Sequence, residues 1–594
     1  MSATFFIVFE MITLSTEILA QGIVCFSNSF KSDLRPPTSR KTHQRFSYDT
    51  ILKIHDIGRS RAMDVQSASE NRKVWQGTFI LAVAGIITKI LSVGYRVPFQ
   101  NIVGDIGFYI YQQVYPFYGI SLVLSTYGFP VVISKILVER IEQHDQAGAI
   151  KILYISFFFL IVFGFSAFSI LYFGADKLAW IMGDPKLVLL LKIIAFTFLL
   201  LPFISVLRGF HQGQKNMIPT AVSQVAEQLV RVSTILFFSF ILLMSGYDTY
   251  DIGAGAIFGS ITGGLTAVLV LLFYGQRKSS INMKNAGKSI SIRTTSIVKA
   301  LMSQSFAVCT TGLLLILIQL VDSLSLYSLL TSSGIDEIVA KKAKGIYDRG
   351  QPLIQLGTVL GTSFSLSLVP LISSAKARKD HVFIQKKVNV SLKTSFVVGI
   401  GSAFGLASII EPTNRMLFED TLGSNVLMIL GFSIFFTTLS LTIAAILQGL
   451  GYFKFPAVIV FVGMLVKWLL NVALIPKLGT VGAAVATVVS FCIITVLLFF
   501  FLLSKMECSV LKYSIIRSAI FAAISMTVVI FSYLMVIQRL FSSFESSRIF
   551  ATVQALSAVL LGGVVYILII LNRRVFSDED LTLLPLGDKL TRNK

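Results

Sequence analysis

The sequence predicts an all-α, polytopic integral membrane protein with about fourteen transmembrane helices, arranged as two six-helix lobes plus two C-terminal helices. Three observations predict this fold class: an apolar composition, a series of long apolar segments, and alternating charge in their connections. Of 594 residues, 54% are hydrophobic and 14% are charged, whereas about 25% are charged in soluble domains. Lipid is the better solvent for such a surface, so a soluble enzyme is not expected.

The apolar segments make up most of the chain after residue 75. Each is close to the roughly 20 residues that a helix needs to cross the hydrocarbon core. They lie near residues 76–97, 108–134, 152–173, 187–207, 219–244, 253–274, 298–327, 350–373, 390–410, 425–447, 456–475, 480–504, 514–537 and 550–571.

Every second connection between these segments is rich in Lys and Arg, including one that carries Arg208 and Lys215. The alternate connections are short, acidic or mixed, except for 328–349, where three lysines offset the acids. By the positive-inside rule both termini are cytoplasmic, and the number of spans is even. The net charge of +21 is then explained by contacts with anionic membrane lipids, and no nucleic acid is expected as a partner.

Residues 1–70 are predicted to be an N-terminal extension, which is either mobile or produced by a start codon upstream of Met63. Positions 2–26 are apolar, but Glu10 and Glu17 interrupt them, and no basic residue precedes them as in a signal peptide. An additional helix is the alternative. The further predicted divisions are an N-lobe over 71–290, a C-lobe over 291–505, two helices over 506–575 and a cytoplasmic tail over 576–594.

The two lobes are predicted from an internal repeat. The stretch Leu207-Arg208-Gly209-Phe210 leads through Pro219 into the next apolar segment, and Leu447-Gln448-Gly449-Leu450 leads through Pro456. The two stretches are 240 residues apart, a distance of six helices. Many transporters consist of two repeated halves around a central cavity, and movement of one half against the other opens the cavity to each side of the membrane in turn. A chance likeness between two loop–helix junctions is the alternative.

Charged residues inside the apolar segments are the candidate site residues, because a charge at the centre of a membrane helix costs at least ~2.5 kcal/mol. Lys89 and Arg96 are seven residues apart in the first segment, on nearly the same helix face. Glu227 and Arg231 are four residues apart in the fifth segment. This pair is expected either to neutralise itself or to form ion pairs between helices.

The remaining charges lie in the second half of the chain. Asp322 is deep in the seventh segment without a visible local partner, Arg349 opens the eighth, and Lys467 is in the middle of the eleventh. Lys467 alternatively extends its ammonium group to the membrane surface. The cations together predict a water-filled cleft between the lobes that accepts a phosphate-bearing ligand, because Arg and Lys pair naturally with phosphate.

Neither a metal site nor an enzyme active site is expected. The four cysteines are scattered without CxxC spacing, and the histidines lie outside the predicted apolar segments. GxxxxGK[ST], HExxH and GxSxG motifs are absent from the sequence. No cofactor is expected, and energy is expected from the membrane potential, from a Na⁺ or H⁺ gradient, or from the gradient of the substrate itself.

Short stretches in both predicted lobes carry a family resemblance. They are residues 77–81, 88–99, 128–135, 207–231, 447–449, 467–471 and 482–484. These stretches resemble the multidrug/oligosaccharidyl-lipid/polysaccharide exporter superfamily, and within it the branch of polysaccharide transporters, stage V sporulation protein B-like proteins and MurJ-type lipid II flippases. The resemblance covers roughly residues 71–575, and Arg208–Arg231 is its most specific part.

The resemblance implies a cationic central cavity and the movement of undecaprenyl-linked oligosaccharide or lipid II-like precursors across the cytoplasmic membrane. It also implies roles for basic residues of the first helix. Lys89 occupies the position of one such arginine, Arg96 lies within one residue of another, and Asp105 lies near a family aspartate. The expected partners are a lipid-linked saccharide and membrane lipids. Proteins of cell-wall synthesis are additional candidate partners.

Two alternatives to a flippase stay open. A drug/cation antiporter of the same superfamily needs acidic residues deep in the cavity, where Asp322 and Glu227 are candidates. A non-transporting scaffold of a cell-wall synthesis complex belongs to a different functional class. A membrane glycosyltransferase is not expected, because no predicted outer loop is long enough to hold its paired acids.

Overall fold

The computed structural model describes residues 83–277, 293–506, 513–541 and 547–577, together with Gly77, Ile80, Leu81 and Asp580. The chain divides into two compact units, Met1–Val83 and Ala84–Lys594, and the contacts below all lie in the second unit. Helices dominate, and the described residues contain no strand. The predicted all-α, polytopic fold class is therefore confirmed. The predicted extension over residues 1–70 lies outside the described residues.

The helices are numbered in chain order after a first helical segment at 83–94. They are α1 (Arg96–Val123), α2 (Phe129–Glu142), α3 (Gln146–Phe173), α4 (Ala175–Ile181), α5 (Val188–Gly213), α6 (Ile218–Met244), α7 (Thr249–Arg277), α8 (Thr294–Ser332), α9 (Glu337–Asp348), α10 (Gly350–Gly357), α11 (Val359–Ala377), α12 (His381–Ser408), α13 (Ile410–Phe418), α14 (Ser424–Gly431), α15 (Ser433–Gly449), α16 (Lys454–Lys505), α17 (Tyr513–Leu540) and α18 (Arg548–Asn572). A π-helical turn at Leu124–Gly128 joins α1 to α2.

Eleven helical stretches of the described chain are long and apolar enough to cross a membrane. Two of them, Val83–Glu142 with 60 residues and Lys454–Lys505 with 52 residues, are longer than one crossing, because about 20 helical residues already extend ~30 Å. Gly104 and Gly479 interrupt these stretches with φ values of +68° and +57°. The exact number of fourteen spans stays a prediction.

The helices pack in two sets. Helices α1–α7 contact one another and are called the first helix group, and α8–α16 are called the second helix group. Helices α17 and α18 pack against each other and against α12 and α13. Ala519, Ala522 and Ala523 of α17 are buried in that contact, where small side chains let membrane helices approach closely.

The same close helix contact occurs twice in the chain. A Cβ atom on Gly209 of α5 would lie 2.7 Å from a side-chain atom of Ile133 in α2, and one on Gly449 of α15 would lie 2.8 Å from Ile372 in α11. Both contacts therefore require glycine. The glycines are 240 residues apart and the isoleucines 239 (372 minus 133), which is the spacing of the sequence repeat.

Helix α9 occupies part of the stretch that the sequence analysis assigned to a connection at 328–349. Asp336 caps its N-terminus by accepting hydrogen bonds from the backbone nitrogens of Ile338 (2.9 Å) and Val339 (3.2 Å). With 12 residues, α9 is too short and too rich in lysine to satisfy a search for apolar segments of 20 residues. The helix was missed for that reason.

Replacing Asp336 by Ala is expected to lower the melting temperature of the purified protein, because loss of an N-cap costs about 1 kcal/mol. Asp336→Asn is the matched control, since the amide oxygen retains the acceptor. Thermal unfolding in detergent measures both variants. Equal melting of the alanine variant and the wild type would show that the cap contributes nothing.

Candidate functional site

Two buried arginines of the first helix group lie around one aromatic ring. Arg96 begins α1 and Arg231 lies in the middle of α6, and both side chains are 0% exposed. The guanidinium carbon of Arg96 is 4.5 Å from the centroid of the Tyr115 ring, and that of Arg231 is 5.9 Å from it. The structure thus brings together two of the predicted site residues.

Tyrosines surround these two cations. Arg231 donates one hydrogen bond to the hydroxyl of Tyr95 (3.0 Å) and another to Gln228 Oε1 (3.3 Å), and its guanidinium lies 4.6 Å from the centroid of Tyr118. The guanidinium nitrogens of Arg96 are buried, and no described group accepts a hydrogen bond from them. Arg96, Arg231, Tyr95, Tyr115 and Tyr118 are called the arginine cluster below.

The arginine cluster carries uncompensated positive charge. Neither Arg96 nor Arg231 forms a salt bridge with any carboxylate in the described ranges. A cation–π contact contributes about 0.5–2 kcal/mol, which is less than the several kcal/mol that desolvating an ion costs. An anion bound here would satisfy both the charge and the free N–H groups.

Glu227 is paired with a different arginine from the one that the sequence analysis considered. The Oε2 of Glu227 lies 2.7 Å from Nη2 of Arg208. Arg208 also donates through Nη1 to Thr126 and through Nε to Ser223. Glu227 therefore does not neutralise Arg231. Assigning Arg208 to a connection was also wrong, because α5 continues to Gly213 and buries Arg208 completely. The apolar segment ends at residue 207, one residue before the charge, and so marked the helix end too early.

The second helix group contains its own buried ion pair. The Oδ1 of Asp322 in α8 lies 2.8 Å from Nζ of Lys467 in α16. The ammonium group also donates to Thr487 Oγ1 (2.6 Å), and Asp322 accepts hydrogen bonds from Asn471 (3.0 Å) and Tyr347 (2.8 Å). Asp322 is thus partnered across helices, and the alternative that Lys467 extends to the membrane surface is wrong, since it is 0% exposed.

Arg349 joins the two helix groups. It donates to Asp105 of α1 through Nε (3.0 Å) and Nη2 (2.6 Å), and to Asp420 through Nη1 (2.7 Å) and Nη2 (2.9 Å). Asp105, Arg349 and Asp420 are called the Arg349 clasp. Because two carboxylates already neutralise the guanidinium, Arg349 presents no free charge to a ligand in this conformation.

Helix α9 makes two further contacts with the first helix group. A Cβ atom on Gly345 would lie 2.0 Å from the backbone oxygen of Asp105, so only glycine allows this approach. Lys341 lies 3.8 Å from Asp184 Oδ2, which also accepts a hydrogen bond from the hydroxyl of Tyr250 at 2.6 Å. The clasp is therefore part of a longer contact between α9 and the first group.

Lys89 is half-buried in the helical segment before α1, two turns from Arg96. The candidate residues do not form a single cleft in this conformation. Arg96 and Arg231 share the arginine cluster, Glu227 belongs to a pair with Arg208, Asp322 and Lys467 form a pair in the second group, and Asp105 and Arg349 form the clasp.

Comparison with known protein families shows to which superfamily the chain belongs. Residues 74–376, about half of the chain, match the family described as polysaccharide biosynthesis protein, and residues 323–473 match the MatE family. The chain belongs to the multidrug/oligosaccharidyl-lipid/polysaccharide exporter superfamily. The resemblance stated from the sequence stretches is thereby confirmed.

Three relatives in Bacillus subtilis extend the match over most of this exporter-superfamily chain. The uncharacterized membrane protein YabM is 43% identical over 89% of this chain and 98% of its own length. The lipid II flippase MurJ is 27% identical, covering 83% and 94%, and stage V sporulation protein B is 26% identical, covering 71% and 82%. One of these relatives is thus named as a membrane protein and another as a lipid II flippase.

Solved structures of the exporter superfamily share the fold. An inward-facing multidrug resistance MATE family transporter superposes with a TM-score of 0.59 at 14% identity, covering 70% of this chain and 94% of its own. The lipid II flippase MurJ in an inward closed conformation gives 0.58 at 16%, covering 83% and 98%. At these identities the likeness establishes the fold alone.

Replacing Arg208 by Met is expected to destabilise the protein by about 3–5 kcal/mol, because it leaves the buried charge of Glu227 unpaired. A double variant, Arg208→Met with Glu227→Leu, removes both charges and is expected to recover most of the loss. Melting temperatures of the purified proteins give the comparison. A single variant as stable as the wild type would contradict a buried pair.

The Arg349 clasp is expected to be independent of pH in the neutral range. Burial raises the pKa of Asp420, but hydrogen bonds from Arg349 and the backbone of Leu422, with the charge of Arg349, lower the pKa below its ordinary 3.8. A depressed carboxyl pKa stabilises the fold above the ordinary value, and the effect is lost only as pH falls through the lowered pKa.

The measurement is the melting-temperature difference between wild type and Asp420→Asn. The difference is expected to stay constant between about pH 5 and about pH 8, where Asp420 is ionised. A difference that shrinks steadily from about pH 7 to about pH 5 would mean that the carboxyl titrates in that range, contrary to the geometry of the clasp.

Proposed function

We propose that this protein flips a lipid-linked saccharide, such as an undecaprenyl-linked oligosaccharide or a lipid II-like peptidoglycan precursor, across the cytoplasmic membrane by alternating access. The observation that carries the proposal is the arginine cluster, where two fully buried guanidinium groups lack a carboxylate partner among the described residues. A diphosphate group supplies both the missing charge and a set of acceptor oxygens. The lipid tail stays in the bilayer while the head group crosses.

The surroundings of the arginine cluster favour a polar, anionic head group. The hydroxyl of Tyr118 and the Nε2 of Gln228 are buried without a partner in the described chain, so they are available to saccharide hydroxyl groups. The two carboxylates that a cationic drug needs, Glu227 and Asp322, are already engaged by Arg208 and Lys467. This arrangement supports a flippase over a drug/cation antiporter.

Alternating access requires a contact that opens and closes. We further propose that the Arg349 clasp lies at the extracytoplasmic end of the helices, because Asp105 and Asp420 belong to the less basic set of connections. With the clasp formed, that end is closed between the two helix groups, and release of cargo requires the clasp to break. Proteins of cell-wall synthesis are then proposed partners on the side where the precursor arrives.

The membrane potential is the proposed source of energy for this movement. An inside-negative potential contributes about 2.3 kcal/mol per elementary charge per 100 mV. A diphosphate with about two negative charges therefore gains about 4.6 kcal/mol on moving outward at 100 mV. A Na⁺ or H⁺ gradient is the alternative source.

Substituting Arg96 or Arg231 by Gln is expected to weaken binding of an undecaprenyl-diphosphate-linked saccharide by about 10- to 100-fold each, the loss expected for a charge-assisted contact. Arg574→Gln is the matched control, because Arg574 is exposed beyond α18. Binding is measured with purified protein in nanodiscs, and flipping is measured in proteoliposomes with a fluorescent lipid-linked saccharide. Wild-type transport in both variants would reject the proposal, and transport of cationic dyes alone would favour the antiporter.

A further inference from the structure

Helix α9 has two faces that contact different parts of the molecule. Lys341 and Gly345 of α9 and Arg349, which directly follows its last residue, are spaced by four residues, and all three contact the first helix group. Residues four apart lie on one helix face, so this stripe explains why α9 packs on α1. The stripe holds Arg349 in the clasp only if α9 cannot rotate about its own axis. A contact on the side of α9 that faces away from the first helix group is needed to prevent that rotation.

Three further residues of α9, Lys344, Tyr347 and Asp348, are each 0–1% exposed, and of these Tyr347 lies on the side of the helix opposite to the stripe. Lys344 and Asp348 bond to each other at 2.7 Å, so this pair lies within α9 and does not attach it to another helix. Tyr347 is different, because its hydroxyl donates to Asp322 Oδ2 of α8 at 2.8 Å. Among the described side chains of Glu337–Asp348, Tyr347 is the one that hydrogen-bonds to other helices of the second group. Arg349, just beyond the end of α9, adds hydrogen bonds to Asp420 and Asn414.

The hydroxyl of Tyr347 completes a closed ring of four polar groups. It lies 2.9 Å from Thr487 Oγ1, which accepts a hydrogen bond from Lys467 at 2.6 Å. Lys467 in turn lies 2.8 Å from Asp322 Oδ1. Each member of the ring fixes the next, and polar networks of this kind are rigid when they are buried and satisfied.

We infer that Tyr347 is a positioning residue, which ties α9 to the buried Asp322–Lys467 pair and thereby holds Arg349 and Gly345 against Asp105. The ion pair inside the second helix group then controls the closed state of the clasp without contacting cargo. This inference rests on the proposed alternating access, in which the clasp opens and closes. It assigns to Asp322 and Lys467 a gating role in place of the cavity role predicted from the sequence.

The test measures the conformation directly, in purified protein in detergent so that orientation in a membrane does not matter. The four cysteines of the chain are replaced by Ala, and Ser323→Cys serves as reporter. Ser323 is 1% exposed at the contact between the groups, where Gln113 donates to its carbonyl oxygen (2.9 Å). Its hydroxyl has no described hydrogen-bond partner, so the thiol breaks no side-chain bond.

Tyr347→Phe is expected to raise the rate of maleimide labelling at this reporter about tenfold, the factor expected for loss of one hydrogen bond to a charged group. Arg349→Gln, which breaks the clasp itself, is expected to raise the rate at least as much, and the double variant is expected to label no faster than Arg349→Gln alone. The matched control is Tyr533→Phe, which removes a tyrosine contact of 2.6 Å with Ser557, between α17 and α18.

Equal labelling of Tyr347→Phe and Tyr533→Phe, with a fast Arg349→Gln, would overturn the positioning role. Slow labelling of Arg349→Gln would overturn the clasp as the element that holds the groups together. Additive effects in the double variant would show that Tyr347 acts on overall stability rather than through Arg349. The measurement needs no cargo, so labelling as expected in a protein that flips no lipid-linked saccharide would reject the proposed function alone.

Discussion

The cost of burying charge in a medium of low dielectric constant determines how this membrane protein is arranged. An isolated ion loses several kcal/mol of solvation inside a protein, and a bilayer offers no water to restore it. Arg208, Asp322 and Arg349 are buried, and each meets an opposite charge from another helix at 2.6–2.8 Å. These pairs cross-link helices that apolar packing alone would leave free to rotate.

Arg96 and Arg231 are the exception, and they form the proposed binding site. They are buried as completely as the paired arginines, but in the described chain they meet tyrosine rings and hydroxyl groups instead of carboxylates. Aromatic contacts offset only part of the desolvation cost. An anion at the proposed site would remove the residual cost, so the proposed affinity arises from the missing carboxylate partners of Arg96 and Arg231.

The sequence predicted the fold class and located most of the buried charges, Arg208 excepted, because apolar length and charge inside an apolar run are local properties. It did not predict the partners, because pairing depends on how helices pack. Glu227 is four residues from Arg231, but its salt bridge is with Arg208, 19 residues away. Asp322 and Lys467 are 145 residues apart (467 minus 322), and no periodicity within one helix connects them. Helix α9 was not predicted because it has 12 residues, fewer than the roughly 20 apolar residues by which a membrane-spanning segment is recognised.

The lack of an acid beside Arg96 and Arg231 has an electrical consequence for the proposed cycle. The two fixed positive charges and a doubly negative cargo nearly cancel, so the loaded protein changes conformation with little movement of net charge. The empty protein exposes its own positive charges to the field when it returns. Over a full transport cycle the net work of the membrane potential is done on the charge of the cargo. The step that the potential accelerates is the return of the empty protein, so hyperpolarisation would shorten the interval before the next molecule is bound.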